Sequence, residues 1–270
     1  MYTIAIDTHT HSLFSSSHAD CTHLELWAKA AEVGLNGFGI THHMGSRYTR
    51  SNGRELDAYM LFSNYGHVFG QRFLPRFKNG VKLYRSVEID IAKKDGSLFA
   101  QNIKDDSFSY PGKLNGDVLS EMFFNQLDYA IASVHQLDDH PQLITKSEGT
   151  AMYINAMSHP KVFILGHIDR PGIPFDISEV VKAVKVMGKA IEINEVSFVI
   201  SEKSCEMCKE IAIHCAEIGT QIAVGSDAHE ISKIGVFSNA LTMLEEIGFP
   251  EELIVNGNVE RFEKAINYCT

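Results

Sequence analysis

Short apolar runs rich in β-branched residues recur along the chain, and between them apolar positions return every three or four residues. The first pattern predicts strands over Thr3–Ile6, Gly37–Thr41, Leu83–Ile89, Tyr129–Val134, Val162–Leu165, Ala190–Ile193 and Gln221–Val224. The second predicts amphipathic helices over Leu24–Val33, Thr150–Met157, Ser178–Met187, Glu202–Ile218, Val236–Ile247 and Val259–Ile266. Four of these run into a glycine (Gly34, Gly188, Gly219 and Gly248), the residue that most readily takes the left-handed turn ending a helix. Strands alternating with helices are the pattern of parallel βα units. A doubly wound open sheet fits that alternation too, but no G-x-G-x-x-G follows the first strand and there is no P-loop. The expected fold is α/β, a seven-stranded (β/α) barrel spanning residues 1–270 as one domain. Two long connections, 42–81 and 92–127, are expected to form short helices and loops over one end of it.

Composition narrows the setting. With 44% hydrophobic and 21% charged residues in 270, the chain can bury a sizeable core. Its apolar stretches are too short for a membrane span, and Met1-Tyr2-Thr3 lacks the basic start of an export signal. A cytoplasmic protein is expected. Five cysteines, an odd number without framework spacing, agree with reduced thiols. Cys205 and Cys208 form a C-x-x-C, but no second pair completes a zinc site, so they read as small residues on a helix. A formal net charge of −10 argues against non-specific nucleic-acid binding. The charge is uneven, however. Arg47, Arg50, Arg54, Arg72, Arg76, Lys78, Lys82 and Arg85 face only Glu55 and Asp57 in that stretch. Such a run is either a solvated face or a basic wall beside a pocket for an anionic substrate.

Histidine is the unusual count, thirteen against one Trp. The predicted strands run in order into Asp7-Thr8-His9-Thr10-His11, into Thr41-His42-His43, through Glu88, into His135, into Gly166-His167-Ile168-Asp169, through Glu192 and Asn194, and into Asp227-Ala228-His229. Each strand thus delivers His, Asp or Glu near its C-terminal end, the reactive face of a (β/α) barrel. Imidazoles and carboxylates converging on one mouth need cations to satisfy them. His9 and His11, like Asp227 and His229, are two apart in extended chain and leave on one face; in a closed barrel the first and last strands are neighbours. A mixed nitrogen and oxygen set suits zinc, manganese or iron better than calcium or magnesium. Two or three such ions polarise phosphoryl oxygens and lower the pKa of a bound water.

The ordered set Asp7-Thr8-His9-Thr10-His11, Ile40-Thr41-His42-His43, Ser86-Val87-Glu88, Ala132-Ser133-Val134-His135, Gly166-His167, Ile191-Glu192-Ile193-Asn194 and Gly225-Ser226-Asp227-Ala228-His229 resembles the PHP (polymerase and histidinol phosphatase) superfamily, most closely its YcdX-like phosphatases. The resemblance covers nearly the whole chain and implies a distorted (β/α)7, TIM-like barrel with a trinuclear metal site. It implies His9, His11, Glu88 and Asp227 around one ion, Glu88, His135 and His167 around a second, and His18, His43 and His229 around a third. The usual T-D-H is here Thr41-His42-His43, which removes a carboxylate beside a ligand, and the loop from His11 to His18 looks one residue longer than in close relatives. Arg170 either contacts a substrate phosphate or pairs with Asp169. His23, His67, His140, His159 and His214 match no motif position and read as surface or loop residues. Asp7 and Asp20 orient histidines or are structural, and Asn194 belongs to the site or caps the following turn.

The expected activity is hydrolysis of a phosphate monoester, with a small phosphorylated substrate bridging three divalent ions, zinc before manganese or iron, and a metal-bound hydroxide attacking in line. Asp227, His229 and Arg170 are the candidate catalytic residues, and a metal-bound water is another candidate for the general acid. A phosphodiesterase or nuclease, a histidinol-phosphate phosphatase, and a non-catalytic metal-stabilised barrel are the alternatives. An amidohydrolase barrel shares H-x-H after its first strand, but no Lys ends any predicted strand here.

Overall fold

The structure is a computed structural model that describes residues 2–14, 19–45, 65–99, 101, 116–137 and 143–268. Its strands are β1 (Ile6–Thr10), β2 (Gly37–Met44), β3 (Phe77–Lys78), β4 (Val81–Asp90), β5 (Tyr129–Ser133), β6 (Val162–Leu165), β7 (Ala190–Asn194) and β8 (Gln221–Gly225). Between them lie α1 (His23–Glu32), α2 (residues 65–70), α3 (Gly116–Asn125), α4 (Lys146–Met157), α5 (Ile177–Val186), α6 (Ser197–Ile200), α7 (Glu202–Ile218), α8 (Ser238–Glu246) and α9 (Val259–Tyr268).

The sheet order is β1-β2-β4-β5-β6-β7-β8, with every neighbouring pair parallel. The extra strand β3 only forms a hairpin on β4, through Asn79 and Gly80 at φ of 53° and 80°, the left-handed pair that a tight hairpin turn requires. The sheet nearly closes. The end of β1 meets the segment just after β8 in a parallel bridge, Thr10 to Ala228, and the His11 amide donates to the Ala228 carbonyl at 2.8 Å. Lower on the same seam, the buried Asn256 side chain donates to the carbonyls of Ile6 (2.8 Å) and Val224 (2.7 Å) and accepts from the Val224 amide (2.9 Å). One side-chain amide thus replaces ladder bonds that the two strands do not make directly.

Helices begin where the chain supplies caps. Thr22 with Glu25 and Thr145 with Glu148 form reciprocal capping boxes on α1 and α4. The four stop glycines all take positive φ, from 64° to 81°. Apolar residues divide into two clusters. The larger lies between strands and helices and holds Leu83, Val87 and Ile89 of β4; the smaller holds Tyr84, Tyr129, Ile131, Phe163 and Phe262 inside the barrel. Phe262 of α9 meets Tyr84 and Tyr129 edge-on, with ring centroids 5.2 and 5.5 Å away, and so plugs the lower end. The upper interior is left to polar side chains.

The first strand differs from the sequence expectation. It runs through Asp7-Thr8-His9-Thr10 instead of stopping at Ile6, and β2 likewise continues through His42 and His43 to Met44. Polar residues look like loop when a strand is assumed to face an apolar core. Here the upper core is itself polar, so Thr10 and His9 are buried strand residues. No helix among the described residues is long and apolar enough to cross a membrane.

Candidate metal centre

Eight of the nine predicted metal ligands converge at the C-terminal ends of the strands. The ninth, His18, lies outside the described residues. Glu88 of β4 is the hub. Its Oε1 lies 2.7 Å from Nε2 of His167 and 3.4 Å from Nε2 of His135; its Oε2 lies 2.8 Å from Nδ1 of His43 and 3.3 Å from Nε2 of His9. Asp227 Oδ1 faces Nε2 of His11 at 3.2 Å and of His9 at 3.4 Å. Nε2 of His9 and of His11 are 3.1 Å apart, and Nε2 of His43 and of His229 are 3.3 Å apart. Four groups have ligand atoms mutually close enough for one ion: His9, His11 and Glu88; His9, His167 and Asp227; His43, Glu88 and His135; His11, His43 and His229.

The local backbone is shaped for this. His167 and Asp227 sit at positive φ, 27° and 53°, which costs about 1–3 kcal/mol each and persists only where surroundings enforce it. The His167 amide donates to Glu192 Oε2 at 3.0 Å. Beside it, a Cβ on Gly225 would run into Glu192 Oε1, so only glycine lets β8 pass that close.

Charge is balanced by the ring of imidazoles. Burial disfavours ionisation of Glu88, yet His135, His9 and His43 around it hold its carboxyl well below the usual range. Asp227, likewise opposed by burial, is held well below its ordinary value by His9, His11 and Arg170. Burial also works against a proton on His135, but Glu88 and Asp90 carry it up to about 9. Burial and the neighbouring His43 drive His11 well below the ordinary imidazole value. Glu88 Oε2 is buried and accepts no hydrogen bond among the described residues, although imidazole nitrogens surround it. A carboxylate that stays anionic, an orphaned oxygen and Nε2 atoms aimed at a common centre together fit divalent cations.

Further groups hold the candidate ligands. Glu192 Oε1 is 2.7 Å from His9 Nδ1, and Asp90 Oδ1 is 2.7 Å from His135 Nδ1, so each carboxylate fixes the tautomer that turns Nε2 toward the centre. Asp90 was not singled out in the sequence; the signal was there, because it lies two residues past Glu88 on the same strand. Arg170 pairs with Asp227 (Nη1 to Oδ2, 2.8 Å) and not with Asp169, and donates also to Ser197 at 3.2 Å and to Asn194. Asn194 both holds Arg170 and accepts from the Val196 amide at 2.9 Å, capping the turn after β7. Asp7 accepts from the Ser226 and Gly235 amides at 3.1 and 3.0 Å, and Asp20 from Ile231 at 2.9 Å; both brace the loop that carries Asp227 and His229.

One sequence expectation changes. His23 and His67 are not ordinary loop residues: His23 Nε2 is 3.3 Å from His42 Nε2, and the His67 ring stands edge-on to His42 at 4.7 Å. Histidine in place of the usual aspartate at 42 thus faces histidines on the outer side of β2. Of the two readings of the basic run, its described part does not form a wall beside the metal centre. Arg76 pairs with Asp128, Lys82 with Glu263, and Arg85 donates to the Arg72 carbonyl, all toward the opposite end of the barrel.

A parallel barrel with buried imidazoles and carboxylates at its C-terminal mouth, in groups that could hold metal ions, places the chain among the TIM-like (β/α) barrels. Within that class, this chain belongs to the PHP domain family, whose profile matches residues 7–202. It is 33% identical over 261 residues to a protein of Acetivibrio thermocellus named probable phosphatase, covering 97% of this chain and 94% of the other. A protein of Clostridium botulinum (strain Hall), also named probable phosphatase, is 35% identical over 259 residues, covering 96% and 93%. Among solved structures, the histidinol phosphate phosphatase of Lactococcus lactis, complexed with zinc, L-histidinol and phosphate, superposes with a TM-score of 0.55 at 20% identity, covering 91% of this chain and 94% of that one. At that identity it speaks for the shared fold.

Proposed function

We propose that this protein is a phosphatase that hydrolyses small phosphate monoesters at a centre of three divalent metal ions, zinc first among the candidates. The family and the relatives named probable phosphatase support the reaction class. The observation that supports a shared pair of ions is Glu88, whose two oxygens face two different sets of imidazoles, and the separate group of His11, His43 and His229 supports a third. His9, His11, Glu88 and Asp227 would hold one ion; Glu88, His135 and His167 a second; His43 and His229, with His18, a third. When bound, the ions polarise the phosphoryl oxygens and lower the pKa of water.

The chain's own residues then set geometry. Glu192 and Asp90 hold His9 and His135 with Nε2 inward. His229 Nδ1 lies 3.0 Å from the Asp227 carbonyl, which makes it the donor and leaves the Nε2 lone pair for a ligand bond. Asp227 is an anion with one oxygen toward the histidines and the other held by Arg170, so in this reading both residues serve as ligands and water supplies the leaving alcohol's proton. Arg170 is a positioning residue for Asp227, and it keeps unused N–H groups on a half-buried guanidinium for a substrate oxygen. The unpaired Cys21, Cys205, Cys208 and Cys215 suit the reducing cytoplasm.

The test is hydrolysis of p-nitrophenyl phosphate and of bis(p-nitrophenyl) phosphate by metal-replete wild type and Asp227→Asn. The monoester should be turned over faster, and the variant should lose more than the roughly 10–100-fold typical of an outer-sphere change. Preference for the diester, or equal activity in the two proteins, contradicts the proposal.

A further inference from the structure

At the opposite end of the barrel from the metal centre, a cavity of about 490 Å³ opens beside the starts of β5 and β6. Arg76, Arg85 and Lys161 line it with a single carboxylate, Asp128. That carboxylate is fully engaged: Oδ1 accepts from Arg76 Nη2 at 2.7 Å and Oδ2 from the Arg85 backbone amide at 2.7 Å. Among the described residues, the Arg85 guanidinium and the Lys161 ammonium therefore have only neutral carbonyl acceptors, Arg72 O at 3.0 Å and Leu127 O at 3.2 Å. Two residues of the cavity wall, Arg85 and Gln126, carry donors (Nε and Nε2) that are buried with no hydrogen-bond partner among the described residues. Surplus positive charge and orphaned donors stand together in a protein of formal net charge −10. Burial and the adjacent Arg76 push the Arg85 guanidinium below its usual value, and Asp128 offsets this only in part.

We infer that this cavity is a second, non-catalytic binding site for a small phosphorylated organic molecule. Its phosphoryl group would lie on Arg85 and Lys161, where planar and point-charge donors combine as phosphate sites require. The volume falls in the range of about 300–1,000 Å³ for small-molecule sites and exceeds that of a bare oxyanion. Leu127 and Ile266 offer an apolar wall for the body of the molecule, and Gln126 a donor for its polar groups. Arg85 and Glu88 are three residues apart on β4, roughly 10 Å along the strand, so the ligand does not reach the metals. The inference is independent of whether the metal centre hydrolyses anything.

Calorimetric titration of the metal-loaded protein with phenylphosphonate, a monoester analogue that is not hydrolysed, tests it. Two sites per chain are expected in wild type. Arg85→Gln and Lys161→Gln should each weaken one of them by about 10-fold or more, as loss of a charged hydrogen bond implies, while kcat/KM for p-nitrophenyl phosphate and Tm stay unchanged. Asp227→Asn should retain the cavity site, which separates failure of the metal centre from failure of this proposal. Binding unaffected by either cavity variant overturns it, as does citrate binding the cavity as tightly as the phosphonate.

Discussion

Glu192 is the residue on which a single atom exchange should matter most. One oxygen faces His9 Nδ1 at 2.7 Å and the other accepts from the His167 amide at 3.0 Å, so one carboxylate orients two candidate ligands. Glu192→Gln keeps shape and volume but turns one acceptor into a donor. Whichever way the amide lies, its NH₂ meets either the His9 Nδ1–H or the His167 N–H. One contact is lost. A hydrogen bond to a charged group contributes about 1.5–3 kcal/mol, and outer-sphere partners of ligating histidines contribute about 10–100-fold in metal affinity or activity; the two estimates agree. Because His167 sits at φ 27°, losing its amide anchor also releases backbone strain away from the ligand geometry. The assay is p-nitrophenyl phosphate turnover at metal concentrations set by a chelator buffer, which separates affinity from kcat. The variant should need about 10–100-fold more free metal for half-maximal activity. Metal affinity and kcat/KM both within twofold of wild type would refute the account of Glu192.

Further tests concern the scaffold. Phe262→Ala removes the plug packed on Tyr84 and Tyr129 and should destabilise the fold by about 3–5 kcal/mol in chemical denaturation, with activity retained below the lowered Tm. Asn256→Ala strands the Ile6 and Val224 groups on the β1–β8 seam; at about 1–3 kcal/mol per unsatisfied buried group, the loss should exceed that of an exposed asparagine several-fold. Burial against Phe124 and nearby Lys189 and Lys161 push His159 down to about 4. A depressed folded pKa means the unfolded chain takes the proton first. Stability from a neutral His159 is therefore present above pH 6.5 and lost as pH falls toward 4. His159→Asn should flatten the decline in denaturation midpoint across that window, and an unchanged slope contradicts the burial argument.

Much of this was legible in the chain because a barrel mouth repeats one rule: six of its strands bring a candidate ligand to their C-terminal ends, and β7 brings Glu192, which holds His9. Helix ends were legible where a capping box or a glycine marks them, as at Thr22 and Gly219. The first strand was misplaced because burial, not residue type, decides whether Asp7-Thr8-His9-Thr10 is strand. The pairing of Arg170 with Asp227, and the meeting of His23 and His67 with His42, join residues 57, 19 and 25 positions apart across different elements. Nothing in local periodicity encodes such contacts, since closure of the barrel sets them. The basic run looked like one surface, yet salt bridges to Asp128 and Glu263 draw Arg76 and Lys82 toward the far end.

The most direct test of the central claim is anomalous diffraction from metal-loaded crystals. Three ions are predicted at the C-terminal mouth, two of them within about 2.0–2.2 Å of opposite oxygens of Glu88. Anomalous density elsewhere, or none beside Glu88, would contradict a metal centre built on that carboxylate.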